Sequence, residues 1–248
     1  MLPLFLFILS VTLMTGASAQ KVFAADSVLD SNSGSGAQYY DNSHRGDPMF
    51  RYLARRAMIT MVPDFDFTTF RSRYTQTSQY DPIGDKVVDK MLELAYIVQN
   101  EREDQEKVVK AIEDYRNLVI DHMANLRVVL QALSLSKLDR RFGNPDFFKW
   151  MKEGLARSVI YSGDGKSRDG AYDAITLSEE TVLFTHLGLK RLSTKSVEED
   201  VRSFNIHEVQ DLRTGQKWEM FVDITYPMSR MRHDKAQEKE QQFDLRRQ

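Results

Sequence analysis

The sequence predicts an α+β fold in which helical hairpins come first and a small antiparallel β-sheet with one short helix follows. Apolar residues recur at steps of three and four through the first half, which is typical of amphipathic helices. The stretch Ser162-Gly163-Asp164-Gly165 interrupts this pattern, and segments of alternating apolar residues with hairpin turns follow it. The predicted parts are a helical region over residues 47–161 and a sheet region over residues 162–228 packed on the helices.

The N-terminal stretch predicts export. The run from Leu2 to Met14 carries no charged residue and is followed by Ala17-Ser18-Ala19, which is the pattern of a signal peptide cleaved after a small-residue site. We therefore interpret residues 1–19 as a signal peptide cleaved after Ala19, and expect a periplasmic or secreted protein with no transmembrane segment after cleavage. The alternative is an uncleaved anchor, since no Lys or Arg precedes the run. Residues 20–46 are rich in Ser, Asn and Gly and predict a disordered linker.

Each predicted helix has a start signal or a long apolar stripe. An aspartate or asparagine cap precedes three of the apolar stripes, and a glycine precedes another. A continuous stripe from Val108 to Leu133 predicts one long helix. The helix starts are Asp47-Pro48, Asp66, Gly84 and Asn144-Pro145. The lengths suggest hairpins like those of tetratricopeptide repeats, although no repeat of about 34 residues is evident. His122 flanks the long stripe and is interpreted as a core or boundary histidine rather than a metal ligand.

The second half predicts one helix and three strands. Ser178 with Glu179-Glu180 predicts a short helix to Leu187, and we interpret the two acids as a solvated helix start. The strands are predicted over residues 189–196, 204–212 and 217–224, the last with its even-numbered residues Trp218 to Ile224 facing the helix that ends near Ile160. Residues 229–248 are predicted to be a charged mobile tail or frayed helix, with partner binding as the alternative.

Composition and motifs exclude several classes of function. The net charge of −2 gives no case for nucleic acid as a partner, and the absence of cysteine excludes disulfides, thiolate metal sites and cysteine nucleophiles. The glycines of the Ser162–Gly165 loop do not match the spacing of a phosphate-binding loop or an EF-hand, and neither a Gly-x-Ser-x-Gly nor a His-Glu-x-x-His motif occurs. We therefore predict no catalytic residue, no metal site and no cofactor. Gly163 and Gly165 are expected to hold positive φ angles, in a plain turn or in a backbone nest for an anion.

Several short segments resemble one family of exported bacterial proteins. The matching text is Phe70-Arg71-x-x-Tyr74-Thr75, Tyr80-Asp81-Pro82, Ser162-Gly163-Asp164-Gly165-Lys166-Ser167, Ala171-Tyr172 with Glu179-Glu180, and Phe221-Val222-Asp223-Ile224-Thr225. This text resembles the DUF4919 family, whose function is unknown, so the resemblance implies architecture and export rather than an activity. It also implies a candidate site, formed by the Ser162–Gly165 loop if the polar residues of the matching segments converge on it. Those residues are Arg71, Tyr74, Tyr80, Asp81, Asp164, Tyr172 and Asp223. The alternative is that they brace the junction between helices and sheet.

Three functions remain open from the sequence. The leading hypothesis is a non-enzymatic module that binds another envelope or secreted protein through its helical half. The second is a small-ligand-binding protein or hydrolase that uses the Ser162–Gly165 loop. The third is a secreted factor that acts on a host or competitor cell. The oligomeric state is left open.

Overall fold

The computed structural model describes residues 47–101 and 103–245. The signal peptide and linker predicted over residues 1–46 lie outside the described residues. Within the described part, six helices come first: α1 Pro48–Thr60, α2 Phe67–Thr75, α3 Asp85–Asn100, α4 Gln105–Asp121, α5 Leu126–Leu138 and α6 Pro145–Ile160. They are followed by β1 Tyr172–Asp173, α7 Glu179–Leu187, β2 Leu189–Glu199, β3 Arg202–Asp211, β4 Lys217–Asp223 and α8 Thr225–Leu245. The α+β class is confirmed.

The predicted helix starts are confirmed, in most cases with their capping bonds. The Asp47 side chain accepts a hydrogen bond from the backbone N–H of Phe50, and the Asp66 side chain accepts one from Thr69. Asn144 caps α6, where Pro145 occupies the first position. These side chains satisfy N–H groups that have no partner inside the helix, which is why the sequence locates the helix starts well.

The long stripe from Val108 to Leu133 is two helices rather than the single helix expected. α4 ends at Asp121 with His122 as its C-cap, and Asn125 caps α5 by accepting from the N–H of Arg127. Met123 and Leu126 on either side of Asn125 are fully buried, so apolar residues continue at helical spacing across the break. Periodicity alone therefore did not reveal the break.

The sheet is mixed rather than purely antiparallel. Its strand order is β1-β4-β3-β2, in which β2, β3 and β4 pair antiparallel and β1 pairs parallel with β4, Tyr172 lying opposite Val222. The predicted antiparallel part is therefore correct for three strands. β1 is only two residues long, and the chain returns to its side of the sheet through α7 and the β2–β3–β4 meander.

Two apolar clusters form the core, and α6 contributes to both. Met151 and Leu155 belong to the cluster of the helical half, whereas Val159 packs in a second cluster with Val222 and Leu183. Trp218 is partly buried, and Met220, Val222 and Ile224 are buried, so the predicted inward face of β4 is confirmed against the end of α6. Hairpins of the tetratricopeptide kind are not confirmed.

The charged C-terminal stretch is helical. α8 runs over Thr225–Leu245, and near its start Arg230 donates to the carbonyl oxygen of Ser78 at 3.1 Å and pairs with Asp234. Among the described helices, none is long and apolar enough to cross a membrane.

Candidate functional site

Arg71, on α2, forms a buried ion pair with Glu179 at the start of α7. The Arg71 side chain is 2% exposed and that of Glu179 is 0% exposed. Nε and Nη2 of Arg71 donate to the two carboxylate oxygens of Glu179 at 3.2 and 2.8 Å, and Nη2 also donates to the carbonyl oxygen of Asp173 at 2.7 Å. The N–H of Ile175 donates to the same carboxylate at 2.8 Å. The pair therefore ties the helical half to the segment after β1.

Tyr74 and His122 form a second buried polar contact beside Arg71. The Tyr74 hydroxyl lies 2.9 Å from Nδ1 of His122 and accepts a hydrogen bond from the N–H of Asp81 at 3.1 Å. The Tyr74 hydroxyl therefore has a partner on each side, the backbone of Asp81 and the imidazole of His122. Burial lowers the pKa of His122 to about 4, and the nearby Asp81 opposes this only in part. The prediction of a core histidine agrees with this placement.

Tyr80 and Asp81 anchor the loop that leads into α3. The Tyr80 hydroxyl donates to the carbonyl oxygen of Ile175, and burial raises its pKa. The Asp81 carboxylate accepts from the N–H groups of Ile83 and Gly84 at 2.9 and 2.8 Å. Arg71, Tyr74, Tyr80 and Asp81 are thus brought together, and their contacts are directed into the protein.

The glycine-rich loop closes on its own backbone. The N–H groups of Asp164 and Gly165 both donate to the carbonyl oxygen of Gly170, at 2.9 and 2.7 Å. The Asp164 carboxylate accepts from the N–H of Lys166 at 3.0 Å. These two N–H groups are therefore directed at an internal carbonyl rather than at a site for an anion.

The two central glycines are required for different reasons. Gly165 has φ +67°, and a Cβ there would lie 2.5 Å from the Tyr172 ring. Gly163 does not have the expected positive φ. A Cβ at Gly163 would lie 2.4 Å from the carbonyl oxygens of Gly170 and Ala171, so this glycine is needed for space rather than for backbone conformation.

Ser162 and Asp173 connect the loop to the Arg71 ion pair. The Ser162 hydroxyl donates to the carbonyl oxygen of Val159 at 2.7 Å and accepts from the N–H of Asp173 at 2.8 Å. Burial raises the pKa of the Asp173 carboxyl, and Arg71 opposes this. Asp173 lies opposite Asp223 in the sheet, and Asp223 is paired with Arg202 at 2.9 Å. The predicted residues thus form two neighbouring clusters that meet at Asp173.

Sequence reasoning missed the burial of Glu179 and Glu180. Glu180 is 7% exposed and accepts from the Asn205 amide at 2.6 Å. Nε2 of the fully buried His207 lies 3.4 Å from Glu180 but makes no hydrogen bond within the described residues. The interpretation as a solvated helix start is wrong, because this end of α7 packs between the sheet and α2. One signal was available: Glu179 precedes the core residue Leu183 by one helical turn and so shares its face.

The fold and the site define an α+β protein whose helical half is tied to its sheet by buried polar contacts. Within the described residues, no group of three or more His, Asp or Glu side chains could hold a metal ion. No protein-family profile, curated protein or solved structure matches the chain significantly. The resemblance to the DUF4919 family therefore stays a prediction.

Proposed function

We propose that this chain is an exported, non-enzymatic protein-interaction module of the cell envelope or the secreted fraction. It binds its partner through the outward face of α1, in the helical half. The observation that carries this proposal is a row of exposed apolar side chains on that face.

α1 carries apolar side chains on both of its faces. Phe50, Ala54 and Ala57 are buried against the neighbouring helices. On the opposite face, Met49, Tyr52 and Ile59 are 52, 58 and 79% exposed. Single exposed apolar residues are ordinary, but three that recur at steps of three and seven share one side of a helix. Such a row supports a binding surface.

The charges beside this row indicate the chemistry of the partner. Arg55 and Arg56 are exposed on the same side of α1, whereas Arg51 is engaged with Asp121 at 2.6 Å. Tyr, Met and Arg are the residues enriched where proteins bind one another. The surface therefore fits a protein that presents apolar anchor residues flanked by carboxylates.

A shallow pocket adjoins this face of α1. It is lined by Leu53, Arg56, Val62, Asp64, Phe65, Asp66 and Thr69. Because Arg56 belongs to both the pocket and the exposed face, the pocket extends the surface available to a partner.

The rival hypothesis of a ligand-binding protein or hydrolase uses a different surface. It requires the Ser162–Gly165 loop to present groups to solvent. The contacts of the Ser162 hydroxyl and of the Asp164 and Gly165 N–H groups are with the protein's own backbone. The third hypothesis, a secreted factor, uses the same face of α1 and differs only in the cell that supplies the partner.

Site-specific photocrosslinking in the native envelope and secreted fractions tests the proposal. A benzophenone amino acid is placed at Ile59, and Leu138 is the matched control, since it is 77% exposed and lies on α5. We expect one discrete protein adduct from position 59 and none from position 138. The partner identified by mass spectrometry is then titrated against the purified protein.

The binding measurement separates the hypotheses. Ile59→Lys should weaken binding of that partner about tenfold or more, because it removes an apolar side chain that the partner would cover, while Leu138→Lys leaves it unchanged. Equal adducts from both positions, or unchanged binding with Ile59→Lys, would remove the support for α1. The species of origin of the partner distinguishes an envelope module from a factor directed at another cell.

A further inference from the structure

The strand β2 forms an edge of the sheet. Among residues 47–101 and 103–245, it is last in the strand order and pairs only with β3. In the β2–β3 ladder, the even-numbered residues of β3 direct their backbone groups towards β2, as shown by the bond from the N–H of Leu212 to the carbonyl of Gly188. β2 has a bulge between Arg191 and Ser193. After it, the residues of β2 that lie opposite these even-numbered residues of β3 are Ser193, Lys195 and Val197. The N–H and C=O groups of the alternate residues therefore point away from the sheet.

This edge is long and regular for an unpaired strand. β2 has 11 residues and contains no proline, and its bulge lies at one end, between Arg191 and Ser193. Natural sheets usually shorten, twist or cover such edges, because unpaired backbone groups invite another strand. The outward backbone groups of Thr194, Ser196 and Glu198 form a ready ladder for a partner strand.

We propose that a second copy of this chain pairs antiparallel along β2, with the two-fold axis at Val197. The strand is positively charged in its first part, at Lys190, Arg191 and Lys195, and negatively charged at its end, at Glu198 and Glu199. With the axis at Val197, residues 195–199 of the two strands overlap, and Lys195 of each copy lies beside Glu199 of the other. A two-fold axis makes this contact twice and closes the assembly as a dimer.

The charges select one register. Residues whose backbone N–H and C=O groups point away from the sheet must pair with one another across the two strands. The two-fold axis therefore passes through one residue of each strand rather than between two residues. With the axis at Val197, Lys195 lies opposite Glu199 of the second copy, and Val197 lies opposite Val197 of the second copy. Both are non-hydrogen-bonded pairs, in which the two side chains are close. With the axis at Lys195, the two lysines would face each other, and with the axis at Glu198, the two glutamates would do so. With the axis at Ser196, Lys195 would lie opposite Val197 and would form no ion pair.

The ion pairs within one chain are compatible with this arrangement. Glu199 is paired with Arg168 at 2.7 Å and remains 40% exposed, so it can accept a second cation. Glu198 is paired with Arg232 at 2.9 Å, and its side chain remains 62% exposed. Lys195 is exposed and has no ion-pair partner among residues 47–101 and 103–245. The edge is distinct from the outward face of α1, so this inference goes beyond the proposed function and does not depend on it.

Sedimentation velocity over a concentration series tests the inference with charge reversals. The wild-type protein is expected to show a reversible monomer–dimer equilibrium. Lys195→Glu places glutamate opposite glutamate twice, and Glu199→Lys places lysine opposite lysine twice. Each should raise the dimer dissociation constant roughly tenfold or more. Circular dichroism checks that both substitutions leave the fold intact.

Recombining the charges makes the test specific. The double variant Lys195→Glu/Glu199→Lys restores both pairs with reversed sign and should dimerise again. The two single variants should associate with each other, when mixed, more tightly than either associates with itself. A wild type that stays monomeric throughout the series overturns the inference. So does a dimer that both single variants leave unchanged, a mixture that fails to associate, or assembly beyond the dimer.

Discussion

Replacing Glu179 by glutamine should lower the free energy of unfolding by about 3 kcal/mol, because it leaves the Arg71 guanidinium buried without a counter-charge. Glutamine has nearly the same shape and keeps an oxygen for the N–H of Ile175, which donates to Glu179 at 2.8 Å. The substitution therefore removes a charge while the local packing is retained. The expected loss is far larger than that for a surface acid.

The magnitude follows from the geometry of the pair. Two unit charges 2.8 Å apart attract by about 6 kcal/mol at an effective dielectric constant of about 20. The loss of hydration on burial offsets much of this attraction when both charges are present. Removing one partner leaves the other with the penalty alone, which costs about 3–5 kcal/mol. Because Glu179→Gln retains the hydrogen bond from the N–H of Ile175, its expected cost lies at the lower end of this range.

A double-mutant cycle separates the pair from its surroundings. Arg71→Met should cost about 4 kcal/mol, since the carbonyl of Asp173 also loses its donor. The double variant should cost about 2 kcal/mol less than the sum of the two single variants, because neither buried charge is then left unpaired.

Urea unfolding followed by circular dichroism measures these differences. The matched control is Glu93→Gln, which removes a carboxylate from the Lys90–Glu93 pair, whose side chains are 57 and 64% exposed. Its effect should stay below about 0.5 kcal/mol. If Glu179→Gln were as mild as Glu93→Gln, or if the effects of the two substitutions at the buried pair simply added, the reasoning would be refuted.

Four further outcomes are expected. Val222→Asp should cost about 4 kcal/mol or more in urea unfolding, because it places a charge in the core, whereas Glu219→Lys on the exposed side of β4 should be nearly neutral; equal midpoints would contradict the face assignment. Gly163→Ala should cost about 2 kcal/mol by the same measurement, since its Cβ would lie 2.4 Å from two backbone carbonyl oxygens, and an unchanged midpoint would contradict that close approach. Because the pKa of His122 is lowered to about 4 in the folded state, from about 6.5 when unfolded, the unfolded chain binds the extra proton and stability should fall by about 3 kcal/mol as pH drops from 6.5 to 4. His122→Asn should remove this part of the pH profile, and an identical profile would show that other groups cause it. N-terminal sequencing of the native protein should give a start at Gln20, and an intact Met1 in a cytosolic fraction would contradict export.

The helix starts could be predicted because their signals are local. Asp47, Asp66 and Asn144 each satisfy a backbone N–H within three residues, so the chain segment contains both the signal and its effect. The inward face of β4 is a similar case, since alternation along one strand reports directly on the side of the sheet that is buried.

The polar network could not be predicted because its members are distant in sequence. Glu179 shares a helix face with the core residue Leu183, but only the structure shows that the partners of Glu179 and Glu180 are Arg71 and Asn205, which are distant in sequence. The parallel strand β1 was missed for a related reason: two residues carry no periodicity, and β1 is defined by its place beside Val222. The site residues from the resemblance do lie near one another, and Asp173, which joins their two clusters, was not among them.

The separation of Arg71 and Glu179 along the chain has a consequence for biosynthesis. The two residues are 108 positions apart, so a chain that emerges from its N-terminus first completes all six early helices before the carboxylate of Glu179 exists. Until then, burial of the Arg71 guanidinium would carry its desolvation cost without the compensating ion pair. We therefore expect a chain truncated before α7 to hold its helical half less stably than the full-length protein does.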